Sequence, residues 1–350
     1  MAFFGVTLET LSRVEPHPNA DRLDLARVVG LEFQFVVGRG RHVPGERVVY
    51  FPVDAVLAPW VLERLGLVGR LAGSAKNRVK TVTLRGEISQ GLVGDPATLL
   101  GEGWQGRAWP PDELTAHLGV TKYEAPVTFS TAGVLHPLPD GVGVYDIDGA
   151  DRFPAAAEAL MDQPVQVTEK LEGTNFAAVR EPGGAVVFCQ RENAIEELPG
   201  KENLYCETAR RQGVPARLDG LAPCFPGLRL VLRGELIGPK VQGNPYGLSH
   251  PEIRFFDLKV GDRYLPPSDF VALLPPEQRV PLLCPGDRTL RAWLAGRTLQ
   301  AASDGPSALK PAAPREGVVV KPLTEQWCEA LRGRLVLKQR SPAYLAGSEL

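Results

Sequence analysis

The stretch VTEKLEGTNFAAV, residues 167–179, sets Lys170 between Glu169 and Glu172, with Gly173 and Asn175 close behind, inside a run of β-forming residues. Val165, Val167 and Leu171 share one strand parity, whereas Lys170 and Glu172 share the other. The lysine is therefore expected to face away from the apolar side, toward solvent or a cleft. A plain surface strand would carry such charge without consequence, so the rest of the chain has to decide.

Four later segments repeat the pattern of an apolar strand that meets charge at a turn. LRGELIG places Glu235 after an apolar run, FFDL sets Phe255 and Phe256 before Asp257, and EGVVVKP opens with Glu316 and closes with Lys321. In RLVLKQR, Val336, Lys338 and Arg340 share one face. Each segment alone reads as an edge or surface strand; their order along the chain carries the information.

The 350 residues imply two domains, and 44% apolar with 23% charged residues is ordinary for a soluble globular chain. A formal charge of −2 gives no global attraction to nucleic acid, so such binding would need local patches. No basic leader, cleavage site or membrane-length apolar run is present, which leads to the expectation of a cytoplasmic protein with no membrane partner. Cys189, Cys206, Cys224, Cys284 and Cys328 lack paired zinc-type spacing and are expected to be reduced, buried small hydrophobes.

From Val6 to about Gly94, short β-rich runs alternate with turn residues, as in a small barrel or sandwich. VEPHPNADRLDLARV and LRGEISQGLV resemble the opening and closing phrases of OB-fold domains of the tRNA-binding type. In KNRVKTVTL, Lys76, Arg78 and Lys80 share one parity, a basic strand face that suits a phosphate backbone or is merely solvated. The boundaries read from sequence are 1–103 for the OB-like nucleic-acid-binding domain, 104–153 for a Pro- and Gly-rich connector with one short helix, and 154–350 for the second domain. In the last, strands mix with helix candidates KENLYCETARRQG and SDFVALLP, an α+β pattern rather than regular βαβ alternation. Neither a GxxxxGK[ST] loop nor a strand-led GxGxxG occurs.

The series Lys-x-Glu-Gly-Thr-Asn from Lys170, then Arg191, Gly-Glu235, Phe256-Asp257, Glu316-Gly-Val-Val-Val-Lys321 and Lys338 resembles motifs I, Ia, III, IIIa, IV and V of the covalent nucleotidyltransferases. That superfamily holds DNA ligases, RNA ligases and mRNA-capping guanylyltransferases. EKLEGTNF is similar to the RNA-ligase form of motif I, in which Thr-Asn follows the glycine. With an OB-like module in front and twelve residues after Lys338, the layout resembles RNA ligases of the Deinococcus type, and no C-terminal helical domain is expected. The fold class implied is α+β: an OB-like β-barrel followed by an adenylation domain of antiparallel sheets with flanking helices.

The resemblance implies an ATP-dependent RNA ligase that seals 3′-OH/5′-phosphate nicks in RNA repair. Lys170 would be the nucleophile that takes AMP covalently, with Glu235, Glu316 and Lys338 completing the catalytic set. Only the neutral amine attacks, and an ordinary lysine titrates near ~10.4, so a metal or neighbouring cation such as Lys338 or Lys321 would have to lower that value. Glu169 and Glu172 would oppose this if they pointed at the amine. Glu316 and Glu235 are the expected ligands of Mg²⁺ or Mn²⁺, hard ions that suit carboxylates. Cofactor binding falls to Glu169, Leu171, Asn175, Arg191, Glu235, Phe256, Lys321, Lys338 and Arg340. Phe256 would stack on adenine, Phe255 being able to exchange roles with it, and Lys321, Lys338 and Arg340 would meet phosphates. Lys240 and Tyr246 in GPKVQGNPYGL are possible nucleotide contacts or members of an ordinary turn.

Two positions depart from the family pattern. Lys338-Gln339-Arg340 stands where Lys-x-Lys is usual, and Gln190-Arg191-Glu192-Asn193 where Ser-Arg-Asn is usual. The partner expected is a nicked RNA duplex or RNA/DNA hybrid with a 3′-OH RNA end, met by a monomer. The rival readings are a DNA ligase or GTP-using capping enzyme with the same motifs, and a non-catalytic OB-type nucleic-acid-binding protein.

Overall fold

The computed structural model describes residues 3–123 and 133–347. They form two compact units, the first from the described parts of Ala2–Pro126 and Leu345–Leu350 with Asp151–Pro154, the second from those of Val127–Ala150 with Ala155–Tyr344. Among the described residues no helix is long and apolar enough to cross a membrane.

The first unit is built on a five-stranded antiparallel sheet in the order Phe35–Gly38, Leu23–Val28, Thr7–Pro16, Arg47–Phe51, Leu92–Gly94. The long strand serves both halves: Thr7–Thr10 pair with the strand Arg47–Phe51, and Leu11–Pro16 with Leu23–Val28, across an irregular step between Leu11 and Arg13. Such a step bends a strand and strengthens its twist. The sheet curls until the Gln90 N–H reaches Gln34 O at 2.9 Å, giving the nearly closed OB-type barrel expected. Leu11, Ala26, Val28, Phe35, Val37, Val48 and Tyr50 share one of its cores.

The two OB-like phrases meet through His17. Its Nδ1 accepts the Asn19 N–H at 3.1 Å, which leaves the proton on Nε2 to be donated to Leu84 O at 3.0 Å. The basic strand face does not form: Lys76 sits in a turn at φ 54°, and the strand begins only at Val82. Arg78 donates to Asp54 Oδ1 at 2.7 Å and lies 3.5 Å from the Tyr123 ring centroid, an ion pair and a cation–π contact that an exposed strand position would not offer. Within the same unit, Pro111–His117 is helical and Thr121–Lys122 pairs with Ala55–Val56.

Among the described residues the second unit holds a two-stranded hairpin, Trp327–Cys328 with Gly333–Arg334, and two large sheets. One has seven strands in the order Val134–Pro137, Asn193–Glu196, Val186–Cys189, Thr174–Arg180, Leu230–Ile237, Glu252–Val260, Arg263–Tyr264. The other has five: Asp148–Gly149, Leu337–Arg340, Gly317–Pro322, Pro164–Lys170, Leu282–Thr289. On the larger sheet, Phe176, Ala178, Leu230, Leu232 and Leu236 pack against helices Leu204–Arg211, Val214–Leu221 and Pro267–Leu273. The alternate residues Ala177, Val179 and Val231 turn to the other face. Asn203 caps the first of these helices, its Oδ1 accepting the Tyr205 and Cys206 N–H groups.

Three cysteines are buried as expected, Cys189 and Cys284 in strands and Cys206 on the core side of a helix; Cys224 is exposed in a short helical turn and Cys328 half-buried in a two-stranded hairpin.

Candidate active site

Pro164–Lys170 is a central strand, flanked by Gly317–Pro322 and Leu282–Thr289, so Gln166 and Thr168 are buried along with Val165 and Val167. Lys170 ends that strand opposite Gly317, where its side chain is 24% exposed. Its Nζ donates to Glu316 Oε1 at 2.6 Å. Gly317 admits no side chain, because a Cβ there would overlap Gln339 O on the next strand.

The larger sheet supplies the opposite wall. Asn175 pairs directly with Glu235 on the face that also carries Ala177 and Val231, away from the helices. The next pairing, between Leu230–Ile237 and Glu252–Val260, shifts register at Arg233 and Gly234, leaving Phe256 as the extra residue of a bulge. The bulge resolves the choice between two adjacent phenylalanines: Ile253, Phe255 and Leu258 join the helix-side core, while Phe256 lines the pocket.

The pocket has a cavity volume of about 250 Å³. Lys170, Leu171, Glu169, Asn175, Arg191, Glu235, Phe256, Lys321 and Lys338 all border it, so nine of the residues expected from sequence converge. Arg340 does not border it; it lies beside Gly317 in the register of the five-stranded sheet. Glu316 reaches it through Lys170. Asn175 Oδ1 is buried without a hydrogen-bond partner, an acceptor left for a ligand.

The electrostatics separate the carboxylates. Glu235 is half-buried, and burial pushes its pKa up to about 8, with Lys170 and Lys338 pulling it down and Glu316 adding to the rise. Glu169 is buried and turned away from the amine: its Oε2 accepts the Ala308 N–H at 2.8 Å, and burial raises its pKa. Glu172 is likewise engaged elsewhere, accepting from Tyr344 Oη at 2.5 Å and from the Gly243 N–H at 3.3 Å. Neither presses its charge on Lys170, which removes the difficulty these two glutamates posed. Tyr246 is buried and accepts the Glu172 N–H at 2.6 Å, so it fixes the lysine turn; Lys240 is exposed in a left-handed turn at φ 65°.

Lys321 is 3% exposed and held by Asp257 Oδ2 at 3.0 Å and by Phe256 O at 2.8 Å. Asp257 also accepts from Arg334 Nη1 at 2.9 Å and Tyr145 Oη at 2.5 Å. Burial alone would raise the Asp257 pKa, but Lys321 and then Arg334 outweigh it and hold the carboxyl below its ordinary range. Tyr145 packs against Phe256 with ring centroids 5.0 Å apart.

Tyr145, Asp146 and Ile147 also line the pocket, and sequence reasoning missed all three. The signal available was an aromatic–acid pair between apolar residues, VYDI, inside a stretch otherwise read as connector.

Gly173 admits the turn from Lys170 into Thr174–Arg180. A Cβ there would lie 2.5 Å from Leu236 O and 2.8 Å from Glu235 Cγ. Gly173→Ala is expected to destabilise the fold by about 1–3 kcal/mol, as overpacking does. A thermal midpoint equal to wild type would show that the strands part there at no cost.

Comparison with known proteins accords with this geometry. The RNA ligase family profile matches residues 163–339, slightly more than half of the 350-residue chain. The chain belongs to the RNA ligase family. An OB-fold domain profile matches residues 5–95. A search of curated proteins found no match. Among solved structures, a Naegleria gruberi RNA ligase mutant with ATP and Mn shares 25% identity over 99% of each chain, at a TM-score of 0.79. Another mutant of that ligase, with AMP and Mn, shares 25% over 98% of each chain at 0.79, and the same ligase with PPi shares 26% over 98% of each at 0.78. The fold and family implied by the motif order therefore hold for the whole chain.

Proposed function

We propose that this RNA ligase family member is ATP-dependent and seals 3′-OH/5′-phosphate nicks in RNA through two adenylylated intermediates. The observation that carries the reading is Lys170, a nucleophile at a strand end that opens into a pocket bordered by Phe256, Arg191 and Lys338 and paired with Glu316. The solved structures of the Naegleria gruberi RNA ligase with ATP, AMP and PPi support the choice of nucleotide.

In the first step an Nζ–P bond forms at the α-phosphate, the α–β phosphoanhydride bond breaks, and pyrophosphate leaves. The lysine must be neutral to attack. Glu316 Oε1 accepts a hydrogen bond from Nζ, so that contact has to open, and a proton pass from Nζ to solvent, before the bond forms. AMP then moves from Lys170 to a 5′-phosphate, and a 3′-OH displaces it to form the phosphodiester bond. Lys338 and Arg191 face the phosphates during these transfers, Asn175 and Glu235 the ribose side, and Phe256 the base. Lys321 acts through Asp257 and the Phe256 carbonyl, and Arg340 from the neighbouring register position.

Among the described residues no group of three His, Cys, Asp or Glu could enclose a metal. The donor set still fits a hard divalent cation, since Mg²⁺-type ions are held by one or two carboxylates together with substrate phosphate oxygens. Glu316 and Glu235 would hold it, and when bound it supplies charge stabilisation on the transferring phosphoryl group.

Phe256→Ala is expected to raise the KM for ATP by about 5- to 150-fold, from ~1–3 kcal/mol of lost base stacking, with a smaller change in kcat. An unchanged KM would remove Phe256 from the base site. The working form is taken as a cytoplasmic monomer acting on nicked duplex RNA or an RNA/DNA hybrid. The function is tested with duplexes nicked in RNA or in DNA, each offered with ATP or GTP. Sealing at a 3′-OH RNA end with ATP is expected. Sealing confined to DNA ends, or GTP as the nucleotide used, would overturn the reading.

A further inference from the structure

Asp146 belongs to none of the motifs that define the site, yet it touches two of its cations. Its Oδ2 accepts from Arg191 Nη2 at 3.0 Å, and its Oδ1 lies 3.6 Å from Lys338 Nζ. Those cations stand on different sheets: Arg191 follows Val186–Cys189 of the seven-stranded sheet, and Lys338 lies in Leu337–Arg340 of the five-stranded one. A single carboxylate, 12% exposed, spans the gap.

The backbone around Asp146 is pinned. On one side Gly143 O accepts from the buried Arg233 at 2.7 Å, and Tyr145 Oη is held by Asp257. On the other, Asp148–Gly149 runs parallel to Leu337–Lys338, and the Ala150 N–H donates to Lys338 O at 2.8 Å. Asp146 Oδ1 also accepts the Ile147 N–H at 3.0 Å. A short side chain on a fixed backbone can set where two long, rotamer-rich side chains end; the converse does not hold.

We propose that Asp146 is a positioning residue, which holds Arg191 and Lys338 at a set separation on the pocket wall so that phosphate meets a cation pair already in place. This rests on the nucleotide reading of the pocket. Without the carboxylate the two cations repel each other, and each has to be ordered at the moment of reaction, which is where preorganised sites gain their rate.

The test measures labelling of the full-length protein by α-³²P ATP with Mn²⁺, over a range of ATP concentrations, for wild type, Asp146→Asn, Asp146→Glu, Arg191→Ala and Asp146→Asn/Arg191→Ala. Thermal midpoints are read alongside. Asp146→Asn should slow labelling by about 10- to 100-fold, the usual loss when a residue that orients a working group is changed. The double variant should lose no more than the larger single loss, because both act on the same arrangement. Asp146→Glu, which keeps the charge, should label faster than Asp146→Asn. Wild-type labelling kinetics in Asp146→Asn, multiplicative losses in the double variant, or Asp146→Glu no better than Asp146→Asn would each overturn the proposal. Failure of the wild type itself to label would instead strike the nucleotide reading.

Discussion

Lys170→Ala is expected to reduce covalent labelling by ATP to below about one part in 10⁴ of wild type, the scale on which covalent enzymes lose rate without their nucleophile. The side chain stands at a strand end with one ion-pair partner, Glu316, itself 11% exposed. Removing the lysine leaves a carboxylate that water can reach, so the fold should lose only about 1–3 kcal/mol. A folded Lys170→Ala protein that still accepts AMP would place the nucleophile elsewhere. Because Asn175, Phe256 and the cation wall remain, the same variant should still bind ATP without covalent transfer, which separates the chemical role of Lys170 from binding.

Asp257→Ala should have the largest effect on stability, about 3–5 kcal/mol, because it strands a buried charge. Lys321 is 3% exposed with Asp257 as its ion-pair partner at 3.0 Å, and Arg334 and Tyr145 rest on the same oxygen. For a unit of this size the loss corresponds to a fall in Tm of roughly 6–20 °C. Replacing the stranded cation as well, in Asp257→Ala/Lys321→Met, should recover part of it. The pH dependence has a definite sign: the folded Asp257 carboxyl sits below its unfolded value near ~4, so its contribution is complete above that pH and is lost as pH falls through the folded value. A Tm within a degree or so of wild type would mean that Lys321 finds water or another partner. Activity should fall with stability, since Asp257 also fixes Tyr145 and, through Lys321, the Phe256 carbonyl at the pocket wall.

Much of the candidate site was legible because its residues follow one another in a fixed order beside apolar runs: Lys170 closes a strand and Glu316 precedes one, while Glu235, Phe256, Lys321 and Lys338 lie within strands. What failed had physical reasons. The parity argument placed Lys170 toward solvent or a cleft, and it does border the pocket, but it could not foresee that Pro164–Lys170 is buried on both faces, where Glu169 found a loop N–H and, past the strand end, Glu172 found Tyr344. The choice between Phe255 and Phe256 depended on a bulge that no periodicity reveals. Arg78 left its expected face for Asp54 and Tyr123, partners distant in sequence. Tyr145 and Asp146 were hidden for the same reason, because their importance lies in contacts with Asp257, Arg191 and Lys338 that only the folded sheets bring together.

The central claim is that ATP leaves AMP on one lysine of this chain. Wild-type protein, cleared of any bound AMP with pyrophosphate and then treated with ATP and Mn²⁺, should gain the mass of a single AMP. Peptide mapping should place it on Lys170. An unmodified protein that is demonstrably folded, or AMP mapped to any other residue, would contradict the account.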